Sequence, residues 1–168
     1  MSPSQSVESS GPIAWKHHWH ILWVVFHLEW SNGEVLNDVV TGNDYSRTIL
    51  IVEDDDLFRK SLTSFVSSLG YATLSARSAE EALDECTKGR IGACVSDFHL
   101  PAMTGIELAE ALRTRGLEIP VVLLSGYLTE AVRAEAKVAG IMTLLRKPTD
   151  LGQLQQTIAR LFTGEGYH

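Results

Sequence analysis

The chain has 168 residues, 45% hydrophobic and 21% charged, which are the proportions of an ordinary globular protein with one domain and a real core. A formal net charge of −7 argues against general affinity for nucleic acid or an anionic membrane surface. Cys86 and Cys94 form no Cys-x-x-Cys pair and fall in predicted helix and strand, so both are expected to be reduced core thiols.

Residues 1–46 differ from all that follows. They hold all four tryptophans (Trp15, Trp19, Trp23, Trp30) and four of the six histidines. The middle of this segment, Ile13 to Trp30, suits a short helix or a strand, and its periodicity does not choose between them. The apolar run Ile21–Phe26 falls short of the roughly 18 consecutive apolar residues of a membrane span, and no basic start or cleavage site marks a signal peptide. His17-His18-x-His20 has metal-ligand chemistry but no cysteine or acidic partner at zinc-site spacing. The segment is expected to be an irregular N-terminal extension, with partner docking or a membrane-surface role as the alternative. The protein is expected to be soluble and cytoplasmic, with no membrane span.

From Arg47 apolar strands alternate with amphipathic helices. Thr48-Ile49-Leu50-Ile51-Val52 reads as a strand covered on both faces, and it ends in four acids, Glu53-Asp54-Asp55-Asp56. Leu57 to Leu69 sets Phe58, Leu62, Phe65, Val66 and Leu69 at helical spacing, with Gly70 as the stop. Tyr71 to Ala76 is a second strand. Ser78 with Glu81 predicts a capping box for a helix to Lys88. Ile91 to Ser96 predicts the third strand and Gly105 to Arg115 the third helix. A fourth strand covers Ile119 to Leu124, with Pro120 at its start, where a missing N–H is tolerated. Thr129 to Ala139 predicts a helix closed by Gly140, and Ile141 to Leu145 a fifth strand. The last helix is expected over Asp150 to Phe162, with Thr149 as N-cap. Five strands and five helices in alternation predict an α/β fold with a doubly wound, five-stranded parallel sheet over residues 47–163, with a tail at 164–168.

In such a sheet, chemistry sits beyond the carboxyl ends of the strands. Strands one, three, four and five bring Glu53/Asp54, Asp97, Ser125 and Lys147 to that edge. Two unit charges at 4 Å interact by about 4 kcal/mol at an effective dielectric of 20, so clustered carboxylates hold a proton or bind a cation. Oxygen ligands with room for water suit Mg²⁺ or Mn²⁺. A hydroxyl (Ser125) and an ammonium (Lys147) then suit the oxygens of a phosphate. Such a set can make, hold and hydrolyse an acyl phosphate on a carboxylate. Taken singly, Glu53 and Asp54 could be helix-capping acids, Ser125 a turn residue and Lys147 a solvated surface charge.

Four motifs in order, Ile49-Leu50-Ile51-Val52-Glu53-Asp54-Asp55, Asp97 with Pro101 and Gly105, Ser125-Gly126, and Lys147-Pro148, resemble those of the response-regulator receiver domain of two-component signalling. The resemblance covers residues 47–163 and none of 1–46. It implies that Asp97 takes a phosphoryl group from a phosphohistidine on a sensor histidine kinase or phosphotransfer protein. It also implies that Asp54, Asp97 and the His99 backbone carbonyl ligate Mg²⁺ (or Mn²⁺), with Glu53 acting through water. Lys147 would pair with phosphoryl oxygens, Ser125 would move to hydrogen-bond one of them, and the Lys147–Pro148 bond would be cis.

One position departs from the family pattern. Leu144 stands three residues before Lys147, where the family carries a switching aromatic, so output has to come through Ser125 and the surface of the fourth helix, fifth strand and fifth helix, or from some other change. His99 and Tyr127 fall at positions that flank the route of the hydrolytic water, which implies an altered phosphoryl lifetime. No helix-turn-helix, basic patch or catalytic domain follows Phe162. The chain is therefore expected to be a stand-alone module acting by protein contact or phosphorelay on an unknown downstream protein, not a turnover enzyme. The alternative is a receiver fold used for binding without phosphorylation. A small-molecule phosphatase is disfavoured, because His99 stands where a second catalytic aspartate would be needed.

Overall fold

Five short apolar runs become strands, and the central ones bury both of their faces. In the computed structural model, which describes residues 47–89, 91–141 and 143–163, these are β1 (Thr48–Val52), β2 (Ala72–Ala76), β3 (Ala93–Asp97), β4 (Val121–Ser125) and β5 (Thr143–Arg146). All pair in parallel, in the order β2-β1-β3-β4-β5. Every residue of β1 and β3 is buried, as central strands require, whereas edge strand β2 is largely exposed. The helices are α1 (Asp56–Ser68), α2 (Ala79–Lys88), α3 (Gly105–Thr114), α4 (Glu130–Val138) and α5 (Leu151–Thr163). The alternation expected from the sequence is observed, with bounds shifted by a residue or two. The Trp/His-rich extension, including His17-His18-x-His20, and the tail lie outside the described residues.

Strand alternation divides the core. Leu50, Val52 and Cys94 pack with Ala79, Ala82, Leu83 and Cys86 of α2 and Leu108 and Leu112 of α3. A second cluster joins Leu123 of β4 to Ile106 and Ala109 of α3 and Ala136, Ala139 and Ile141 around α4. Both cysteines are free and buried, as expected, and burial pushes the Cys86 thiol up to about 11. Among the described residues no helix is long and apolar enough to cross a membrane.

Helix ends follow local chemistry. Gly70 and Gly140 sit at φ +87° and +82°, a left-handed conformation that stops α1 and α4 at little cost for a residue without Cβ. Two expectations change. Thr149 does not cap α5: the Asp150 carboxylate accepts from Gln153 N–H at 2.7 Å, while the buried Thr149 hydroxyl has no hydrogen-bond partner. A carboxylate two bonds from its Cα reaches the third residue of that helix, and Thr149 is drawn into the core instead. At α2, Ser78 accepts from Glu81 N–H, but the Glu81 carboxylate turns to the Arg77 backbone and guanidinium, so the box is only half formed. The full reciprocal capping box belongs to α3, between Thr104 and Glu107.

Candidate functional site

Backbone hydrogen bonds tie the strand ends together beyond the regular ladder. Glu53 N–H donates to Ala76 O at 3.1 Å, Phe98 N–H to Leu124 O at 2.8 Å, and Lys147 N–H to Ser125 O at 2.8 Å. Residues far apart in sequence thereby meet at one edge, across the point between β1 and β3 where the strand order reverses.

The four consecutive acids after β1 take different tasks. Asp55 is the N-cap of α1, accepting from Leu57 and Phe58 N–H at 2.9 and 3.0 Å. Asp56 lies at the surface and pairs with Arg59. Glu53 and Asp54 turn toward Asp97, and one carboxylate oxygen from each of the three lies within 4.8 Å of the others. Glu53 and Asp97 are 1% and 3% exposed, so their charges are largely cut off from water. The Lys147 ammonium answers them, 2.7 Å from Glu53 Oε2 and 3.0 Å from Asp97 Oδ1. It also lies 4.5 Å from the centroid of the Phe58 ring.

Burial pushes the Glu53 carboxyl up to about 7; Lys147 opposes the rise, and the neighbouring Asp97 charge adds to it. Three carboxylates facing one ammonium form an electron-rich pocket of hard oxygen donors, and this donor set fits Mg²⁺ or Mn²⁺. The loop that presents the acids is braced from α1, where Arg59 donates to the Glu53 carbonyl at 2.7 Å.

Below Asp97 the backbone is tightly packed. A Cβ on Gly105, the first residue of α3, would stand 2.4 Å from Asp97 O, 2.5 Å from Leu123 Cδ1 and 2.9 Å from Ser96 Oγ. Only glycine lets α3 begin so close to the end of β3. Ser125, fully buried as the last residue of β4, donates to Tyr127 O at 2.9 Å and accepts from Tyr127 N–H at 3.2 Å. Its hydroxyl is thus engaged with its own loop. The exposed His99 ring packs edge-to-face on Phe98, and its backbone bridges to Thr104. The Lys147–Pro148 peptide is cis.

The structure therefore brings together Glu53, Asp54, Asp97 and Lys147, leaves Ser125 bonded within its loop, and turns the His99 side chain outward. The sequence had offered Phe58 only as a core position and had not singled out Arg59. No spacing signals that a helix's first turn will lie against a lysine 89 positions later.

A doubly wound parallel sheet with three carboxylates and a lysine at its carboxyl edge defines an α/β domain with an acidic, cation-ready site. Residues 49–159 match the family model of the response regulator receiver domain, and the chain belongs to that family, the receiver domains of two-component systems. It is 35% identical over 113 residues to the "Regulator of RpoS" of Escherichia coli strain K12, covering 67% of this chain and 34% of that protein. It is 32% identical over 129 residues to the sensor histidine kinase RcsC of Salmonella typhi, covering 77% of this chain and 14% of that protein. The chain thus spans about a third of the first of these curated relatives and about a seventh of the second. Among solved structures, the chemotaxis protein CheY4 of Vibrio cholerae superposes with TM-score 0.65 at 27% identity, over 68% of this chain and 98% of that one. A putative response regulator from Chloroflexus aurantiacus gives TM-score 0.65 at 28% identity, over 70% and 98%.

Proposed function

We propose that this protein accepts a phosphoryl group on Asp97 from a phosphohistidine, carried by a sensor histidine kinase or a phosphotransfer protein, in a Mg²⁺-dependent reaction. The observation that carries this reading is the Lys147 ammonium bridging Glu53 and Asp97 within a trio of carboxylates. An Asp97 carboxylate oxygen attacks phosphorus, an acyl phosphate forms, and the N–P bond breaks with the imidazole as leaving group. Glu53, Asp54, Asp97 and the His99 backbone carbonyl are the groups that would hold Mg²⁺ (or Mn²⁺). When bound, the cation would neutralise charge on the phosphoryl oxygens. Lys147 would exchange a carboxylate for a phosphoryl oxygen, and Ser125 would leave Tyr127 to donate to another.

The acyl phosphate made in this way is a signal and not a turnover product. An added charge of roughly −2 beside Lys147 is a sufficient source of differential contacts for a switch. Leu144 is half-buried and packs against the Leu123–Ala136 cluster, so output runs through Ser125 and the α4–β5–α5 surface, by contact with a downstream protein or by relay of the phosphoryl group. The reading implies a cytoplasmic location, where the donor histidine is charged.

The test is intact mass after incubation with acetyl phosphate and Mg²⁺. One added phosphoryl group is expected, lost on chelation and absent in Asp97→Asn. Failure of folded wild-type protein with both acetyl phosphate and a phosphorylated kinase donor would favour the binding-only domain.

A further inference from the structure

We infer that Phe58 is a positioning residue for Lys147: the face of its ring holds the ammonium at the Glu53–Asp97 pair. The role in phosphoryl transfer rests on the function proposed above; the positioning itself does not.

Lys147 follows β5 on a long, flexible side chain with three rotatable N–H donors. Two carboxylates, at 2.7 and 3.0 Å, define directions for two of them. A lysine so placed could still swing outward, since ion pairing alone is a weak geometric constraint on a point charge. The Phe58 ring closes that freedom. Its centroid lies 4.5 Å from Nζ, inside the range at which a cation is attracted to an aromatic face. Both partners are shielded: Phe58 is 8% exposed, and the Lys147 side chain 16%. Shielding strengthens the attraction, because water competes poorly for the ammonium.

The ring is itself held firmly. Phe58 sits in the first turn of α1, its own N–H bonded to the Asp55 carboxylate at 3.0 Å. The next residue, Arg59, is bonded to the Glu53 carbonyl. The first turn of α1 therefore fixes both members of the Lys147–Glu53 pair, one through a ring face and one through the backbone. An aliphatic residue would keep the position apolar, at some loss of volume, but offer no quadrupole to the ammonium.

The experiment uses the full chain with ¹³C-labelled lysine, whose five residues give a simple spectrum in which Lys147 is assigned by its loss in Lys147→Arg. In the wild type the Lys147 ε-methylene protons should be shifted upfield by the ring. Phe58→Leu should abolish the shift and slow phosphorylation by acetyl phosphate at saturating Mg²⁺ by about five-fold, the effect of a cation–π contact of ordinary strength. Phe58→Tyr should restore both. Phe65→Leu removes an equally buried ring from the same helix, two turns away, and reports the loss of core volume alone. It should lower stability while leaving the Lys147 shift and the rate in place. A wild-type Lys147 without the upfield shift, or a shift that survives Phe58→Leu, would overturn the inference. So would a rate loss in Phe65→Leu equal to that in Phe58→Leu. A wild type that takes no phosphoryl group from any donor would sink the functional proposal, and the Lys147 shift would then decide the inference by itself.

Discussion

Glu53 shows how burial changes the chemistry of a single carboxyl. Its ordinary value of 4.5 rises to about 7 in the folded protein, chiefly through desolvation. Between those values the unfolded chain releases a proton that the folded one keeps. The corresponding stability is full below about pH 4.5 and is lost as pH rises to about 7. Urea unfolding of the metal-free protein should show a falling midpoint across that window, and Glu53→Gln should remove this part of the slope. A cation binding there must displace the same proton, so Mg²⁺ affinity should weaken as pH falls below about 7. Lys147 is the counterpart. In Lys147→Met, Glu53 and Asp97 lose their cation, and the metal-free protein at neutral pH should be destabilised by about 2 kcal/mol. That is less than the 3–5 kcal/mol of a fully buried pair, because the ammonium keeps some access to water. Mg²⁺ should then restore more stability to this variant than to the wild type, as read by thermal unfolding.

At the scale of elements, the junction of β3 with α3 carries the tightest constraint. Gly105 begins the helix against the Asp97 carbonyl, and a methyl group there would overlap backbone that has nowhere to move. Gly105→Ala should cost about 3 kcal/mol or more in chemical denaturation, at the upper end of overpacking effects. The same helix is opened by the Thr104–Glu107 box, and Thr104→Ala should cost about 1 kcal/mol in the same assay. Alternation of apolar strands with amphipathic helices was legible in the sequence for all ten elements, because a short continuous apolar run and a 3.6-residue amphipathic period leave different marks. Caps were less legible. Ser78-x-x-Glu81 and Thr104-x-x-Glu107 have the same pattern, but Arg77 beside the first draws Glu81 away. Thr149 and Asp150 both suit an N-cap, and which one serves depends on which side chain the fold buries.

For the whole molecule, the domain gathers like charges at one edge and stabilises them with one lysine and, by proposal, a cation. Folding and cation binding should therefore be linked. At a free Mg²⁺ concentration 100 times its Kd, stability should rise by about 2.7 kcal/mol, and chelation should remove it, as followed by calorimetry. By itself the amino-acid sequence determined the α/β class, the strand and helix order, and the four motifs that mark the receiver family, since periodicity and motif are local properties of the chain. It named Glu53, Asp54, Asp97, Ser125 and Lys147 as residue types at strand ends. Only the tertiary structure decided how the four consecutive acids divide between cap, surface pair and site. It alone turned Ser125 onto Tyr127 and set the Phe58 ring against Lys147. Each of those outcomes is a direction in space, and direction comes from how β1, α1, β4 and β5 pack against one another, not from the spacing of residues along the chain.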